Sequence, residues 1–155
     1  MLIYCGTSFL LSLAVELDAN HAAARKVAAK FKEAVPFTLW CETEVKHGLQ
    51  RVLADKKLSP SEHDAIVRQL HDDIADGIFI RPSLNEGNVH QKAQELSKKH
   101  TPAMPALRTL DILHVASALA LGAKGFASFD IRQRELAAAE GLHLHPAKMA
   151  TVQVP

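Results

Sequence analysis

LRTLDILHVASALALGAKGFASFD, residues 107–130, decides the fold. From Leu110 to Leu121 almost every residue is apolar or small, the pattern of a helix buried on nearly every face. Asp111 is the acidic exception, and an ionised carboxylate beside such a core needs a partner, usually a cation. Gly122-Ala123-Lys124-Gly125 breaks the helix. Phe126 to Phe129 then reads as a short buried strand with Asp130 at its carboxyl tip. Ligands of open α/β sheets collect at the carboxyl ends of strands. Asp130 therefore stands where a site is expected, with Asp111 aimed at the same place.

Each acid alone also fits a purely structural role. Asp130 with Gln133 three residues on has the form of a helix N-cap and its box partner. Asp111 stands at a helix start, where the macrodipole favours an acid. Two acids on one small unit tilt the reading towards a site.

The flanking chain supports an alternating α/β architecture. Leu2 to Cys5 is strand-like, and Thr7 or Ser8 is positioned to cap a helix from Phe9 to about Leu17. A second helix is expected from His21 to Ala34, ended by Pro36, with a very short strand at Phe37 to Leu39. A third helix runs from Trp40 to about Ala54, with Glu44 at the edge of its apolar stripe. Ser59-Pro60-Ser61-Glu62 is a strong helix start, and Asp76-Gly77 stops that helix. Ile78 to Ile80 is a candidate strand. Asn85 or Asn88 opens a helix to about His100 with a solvated polar face. After Asp130 a helix runs to about Glu140, followed by a last strand at Leu142 to Leu144. His143 and His145 share a strand face and could bind a metal, although a partly exposed edge strand with two polar side chains explains them better. Strands alternating with helices predict a three-layer α/β sandwich, with helices on both faces of a central parallel sheet of four or five strands.

Length and composition set outer bounds. A chain of 155 residues is expected to form a single domain over 1–155, large enough to fold without metal or disulfide. The net charge of +1 gives no long-range pull on nucleic acid, so RNA contact requires a local basic patch. The two cysteines, Cys5 and Cys41, have apolar neighbours and no metal spacing, as expected of reduced thiols in a cytoplasmic protein. Met1 leads directly into a strand rather than a signal peptide, and no apolar run is long enough to span a membrane.

Four pieces now carry a family resemblance. They are the first strand into Gly6-Thr7-Ser8, Glu44-Val45 in the third helix, Arg108-Thr109-Leu110-Asp111-Ile112-Leu113-His114-Val115-Ala116, and Phe126-Ala127-Ser128-Phe129-Asp130. Their order and spacing resemble a PIN domain, especially the VapC-type ribonuclease toxins of toxin–antitoxin pairs. The resemblance implies a metal-dependent endoribonuclease, a nuclease of the hydrolase class. Glu44, Asp111 and Asp130 would be its catalytic and Mg²⁺- or Mn²⁺-binding acids, supported by Thr7, Ser8 and Ser128. Carboxylates suit the task because Mg²⁺ takes hard oxygen ligands. The resemblance also implies a homodimer and a cognate antitoxin whose Arg reaches the acids, with the first helix and the Ser59–Ala75 helix as candidate docking surfaces.

One position departs from the family pattern. Where the family places an Asp at the tip of the first strand, this chain has Gly6, which has no side chain to act as a ligand. The expected consequence is weakened metal binding and attenuated or absent cleavage. The competing reading is a non-catalytic PIN-like module that binds RNA or a protein. A phosphoacceptor receiver domain is disfavoured, because its acids would come mainly from the first strand and the loop after it. Arg108, Lys124, Arg132 and Arg134 flank the acids and are the candidate RNA contacts, with Arg132 and Arg134 alternatively plain solvated helix residues. Three clustered acids are expected to raise at least one carboxyl pKa when no metal is bound.

Overall fold

The computed structural model describes residues 1–150. In chain order the elements are β1 (Ile3–Cys5), α1 (Thr7–Ala14), α2 (His21–Ala28), β2 (Val35–Pro36), α3 (Leu39–Ala54), α4 (Pro60–Ala75), β3 (Phe79–Ile80), α5 (Glu86–His100), α6 (Thr109–Ala120), β4 (Gly125–Ala127), α7 (Ile131–Ala139) and β5 (His143–His145). All strand pairs are parallel. β4 lies between β1 and β5 in one ladder, and β2 pairs with β3 in another.

The two ladders lie side by side, with β2 next to β1. Pro36 explains why no hydrogen bonds join them. Val35 and Phe37 direct their N–H groups to Ile78 and Ile80 on the β3 side. Alternation turns residue 36 the other way, towards β1, and a proline has no donor to offer there. The expected sheet of four or five strands is thus five strands in two ladders.

Strand alternation divides the interior into two cores, one on each sheet face. Cys5 and Ala127 face a core built with Phe9, Leu10, Val45, Leu49 and Leu70 of α1, α3 and α4. Tyr4 and Phe126 face the other, built with Val89, Leu96, Val115, Ala116 and Leu136 of α5, α6 and α7. The three-layer sandwich expected from the sequence is the observed one.

Several boundaries shift for local reasons. α1 ends at Ala14, which leaves Leu17 82% exposed outside it. α2 ends at Ala28 because Lys30 and Phe31 turn back to Val27 and Ala28 through i→i−3 bonds. Phe31 still packs on Phe9 after the helix has stopped. β2 comes earlier than expected because Thr38 caps α3, accepting from the Cys41 N–H, so Leu39 is already helical. α4 follows its signature: Pro60 at the first position and a reciprocal Ser59–Glu62 box. Gly122 and Gly141, at φ 70° and 82°, end α6 and α7 in the left-handed region that favours glycine.

Candidate active site

The parallel strands bring the starts of α1, α6 and α7 to one sheet edge. These helix N-termini favour negative charge. A cleft of about 480 Å³ opens there, lined among others by Thr7, Ser8, Glu44, Arg108, Asp111, Asp130, Arg132 and Gln133. Glu44, Asp111 and Asp130 therefore meet on one cavity. Gly6 sits at the tip of β1, between the β2 and β4 strands that lead to the Glu44 and Asp130 helices.

Each acid is already held from within the chain. Asp130 caps α7, accepting from the Arg132 and Gln133 N–H groups at 2.9 and 3.4 Å, and its other oxygen accepts from Arg132 Nη2 at 3.0 Å. Asp111 is buried and accepts from the Arg108 N–H at 3.0 Å and from Gln133 Nε2 at 3.1 Å. Arg132 Nε lies 3.3 Å from Asp111 Oδ2, an ion pair without an aligned hydrogen bond. All four oxygens of these two aspartates thus have a donor or cation beside them. The same contacts raise the Arg132 pKa, with the Asp130 hydrogen bond as the largest cause.

Glu44 is bound differently. The Thr7 hydroxyl donates to Oε1 at 3.0 Å, and the fully buried His114 contacts the same oxygen through Nε2. His114 Nδ1 faces the Tyr4 hydroxyl at 2.8 Å. Burial raises the Glu44 pKa, but the hydrogen bond and charge of His114, with the Thr7 bond, hold it below its ordinary value. For Glu44 the shift runs opposite to the increase expected of clustered acids, because its nearest partner is an imidazole rather than another carboxylate.

Gly6 has φ −73° and ψ 162°, extended backbone open to any residue, so its conformation does not require glycine. The space beside it is occupied instead. A Cβ at position 6 would stand 2.5 Å from Gln133 Oε1. Gln133 is held by a saturated hydroxyl chain. Ser8 Oγ accepts from the Phe129 N–H and meets Ser128 Oγ, which accepts from the Asp130 N–H and donates to Gln133 Oε1. That leaves the Gln133 amide N–H₂ for Asp111, which fixes its orientation. Ser8 and Thr7 are therefore not the caps of α1. They are spent on the β4 tip and on Glu44, and the α1 cap is Gly6 with no side-chain bond. Nor does Gln133 close a capping box with Asp130.

Among the candidate RNA contacts, Arg108 and Arg132 line the cleft. Lys124 does not, since it precedes β4 and lies at the opposite, amino end of the strand. Arg134 is neither an RNA contact nor a solvated residue. It is 7% exposed and donates to the carbonyls of Ser128 and Pro146 at 2.9 and 2.8 Å, and burial lowers its pKa. Arg132 is not simply solvated either, being tied to both aspartates.

His114 and Gln133 are the site residues that sequence reasoning left without their roles. The available signal for His114 was an imidazole one turn after Asp111 in an otherwise apolar run. For Gln133 there was none beyond its spacing from Asp130.

The arrangement does not fit a resident Mg²⁺ or Mn²⁺. Among the described residues no three His, Cys, Asp or Glu side chains converge on a cation position. A guanidinium lies against Asp111 and Asp130, while His114 takes Glu44. The same holds for His143 and His145, which gather no third ligand among the described residues.

Comparison with known proteins gives the fold its place. No curated protein matches the sequence. The structure is similar to the crystal structure of VapC20 of Mycobacterium tuberculosis, a toxin that cleaves the sarcin-ricin loop. The TM-score is 0.69 and the identity 19%, over 93% of this chain and 99% of that one. Residues 3–139 match the PIN domain, and the chain belongs to the PIN domain family.

Proposed function

We propose that this protein acts on RNA as a ribonuclease toxin of the PIN family, with phosphodiester cleavage attenuated or absent in the chain as it stands. The observation that carries this is the cleft itself: Glu44, Asp111 and Asp130 line one cavity at the carboxyl edge of the sheet, with Arg108 at its rim. Glu44, Asp111 and Asp130 are the chain's own candidates for a Mg²⁺ or Mn²⁺ cofactor, which would supply charge neutralisation and an acidified water in an active relative. Here the tip of β1 contributes no side chain, and internal partners hold the acids. Thr7, Ser8 and Ser128 support the site by fixing Glu44 and Gln133. Arg108, which lines the cleft, is the candidate to receive a phosphate, and such a contact weakens as salt rises.

The partners that follow are a homodimer and a cognate antitoxin, with α1 and α4 as candidate docking surfaces. Among the described residues no helix is long and apolar enough to cross a membrane, and the cytoplasm is the proposed location. The second reading, a non-catalytic module for RNA or protein, is favoured by one observation: both aspartates are fully engaged without any added ligand.

The test is restoration. Gly6→Asp alone forces Gln133 out of its place and sets a third carboxylate beside Asp111 and Asp130, so it should lower the melting temperature. Gly6→Asp with Gln133→Ala opens that space. The double variant should cleave mixed RNA with Mn²⁺ at least about tenfold faster than the parent, the scale expected of a well-placed charged group at a reacting centre. A folded double variant that cuts nothing would leave the binding module.

A further inference from the structure

The ribonuclease reading has the acids waiting for a cation, yet the cleft already contains one. We infer that Arg132 is a built-in cation that occupies the acidic centre and competes with metal for Asp111 and Asp130. This inference deepens the ribonuclease reading and rests on it for the identity of the metal-binding acids.

Arg132 follows Asp130 by two residues, in the first turn of α7. That placement lets one side chain reach both carboxylates. Nη2 meets Asp130 Oδ2 at 3.0 Å, and Nε stands 3.3 Å from Asp111 Oδ2. A planar guanidinium suits two carboxylates at once, which an ammonium on a single point cannot match. The two oxygens it contacts are Asp130 Oδ2 and Asp111 Oδ2, the latter also accepting from the Arg108 N–H. The other two are turned into the protein, Asp111 Oδ1 to Gln133 Nε2 and Asp130 Oδ1 to the α7 backbone.

The two neighbours in sequence differ in how easily they leave. Gln133 is 5% exposed and held by Ser128. The Arg132 side chain is one-third exposed, it lines the cleft, and among the described residues its ion pairs are with these two acids. Arg132 can therefore swing into solvent by rotamer change alone, without breaking the core. A divalent cation must displace it first, so its apparent affinity is lowered by the work of breaking the ion pairs. Arg132 stabilises the metal-free protein by the same contacts.

The experiment titrates Mn²⁺ into the parent, Arg132→Ala and Arg132→Lys, reading free Mn²⁺ by electron paramagnetic resonance and the melting temperature in parallel. Arg132→Ala should melt lower than the parent without metal, bind Mn²⁺ at least about tenfold more tightly, and regain its melting temperature as Mn²⁺ is added. Arg132→Lys keeps the charge and should stay nearer the parent. An Arg132→Ala protein that binds Mn²⁺ no better than the parent, with a melting temperature indifferent to the metal, overturns the inference. Should that variant not fold, the Arg132 Nε–H resonance of the parent decides. It should shift as Mg²⁺ saturates, and an unmoved signal at saturation overturns the inference as well. RNA cleavage by the Gly6→Asp, Gln133→Ala chain separates the two claims. Tight metal binding by Arg132→Ala, with no cleavage by that folded chain, supports the built-in cation and removes the ribonuclease reading. Cleavage by the Gly6→Asp, Gln133→Ala chain, with no metal gained by Arg132→Ala, does the reverse.

Discussion

The starts of α4 and α7 carry nearly the same local signature and use it differently. At α4, Ser59 accepts from the Glu62 N–H and the Glu62 carboxylate returns to the Ser59 N–H, so the box closes on itself at an exposed turn. At α7, Asp130 accepts from the N–H groups of Arg132 and Gln133, but Gln133 does not turn back. It reaches Ser128 and Asp111, joining the tip of β4 to the start of α6. The difference lies in the surroundings. α4 begins in solvent, where among the described residues its third residue pairs with its own cap. α7 begins between a strand tip and another helix, and both offer polar groups that burial would otherwise leave unpaired. A capping signature identifies a helix start; only the neighbouring elements decide whether its polar side chains serve that helix or the tertiary structure.

The contrast predicts that polar groups joining several elements cost more to remove than those serving one helix. The largest loss is expected for His114→Leu, which keeps volume but leaves Glu44 and Tyr4 without their buried partner. The cost should be about 3 kcal/mol in denaturant melts at neutral pH. The pH dependence has a definite sign. The folded-state pKa of Glu44 lies below the ordinary value of 4.5. Ionised Glu44 therefore stabilises the fold above that value, and the contribution is lost as pH falls through the lower, folded value. With the imidazole gone, burial is opposed only by the weaker Thr7 hydrogen bond and the pKa rises, so the penalty of His114→Leu should shrink between about pH 7 and pH 4. An undiminished penalty in acid would mean that His114 stabilises by packing and not through Glu44.

A middle-sized effect is expected for Gln133→Ala. It strips a donor from Asp111 and an acceptor from Ser128 at a buried position, at about 2 kcal/mol. Its coupling to Asp111→Asn in a double-mutant cycle should be clearly non-zero, because the two side chains are in contact. The smallest effect is expected for Ser59→Ala, about 1 kcal/mol for a lost N-cap, with no coupling to any residue of α6. A Ser59→Ala loss equal to that of Gln133→Ala would erase the distinction between the two helix starts.

The same distinction explains what the sequence could reveal. Strong local chemistry was legible to the residue: Ser59-Pro60-Ser61-Glu62 opens α4, and Gly122 ends α6. The parallel order and the meeting of Glu44, Asp111 and Asp130 on one cavity also follow from strand tips and helix starts. Arg134 was not legible, because its burial depends on the carbonyls of Ser128 and Pro146, brought to it by the β4 edge and the segment after β5. Lys124 looked close to Asp130 in sequence, but a strand between them carries it to the far edge of the sheet. Gln133 looked like a local box partner because spacing alone does not reveal competing acceptors.

The ordinary backbone at Gly6 has a consequence for inheritance. Glycine and aspartate codons differ by a single base, and the chain conformation at this position accepts both residues. The step between them is therefore open in either direction as far as the main chain is concerned. What opposes the step to aspartate is the side chain of Gln133, whose Oε1 stands where the new Cβ would press against it. A change from glycine to aspartate is therefore eased by a second change at Gln133, and the two positions are expected to vary together.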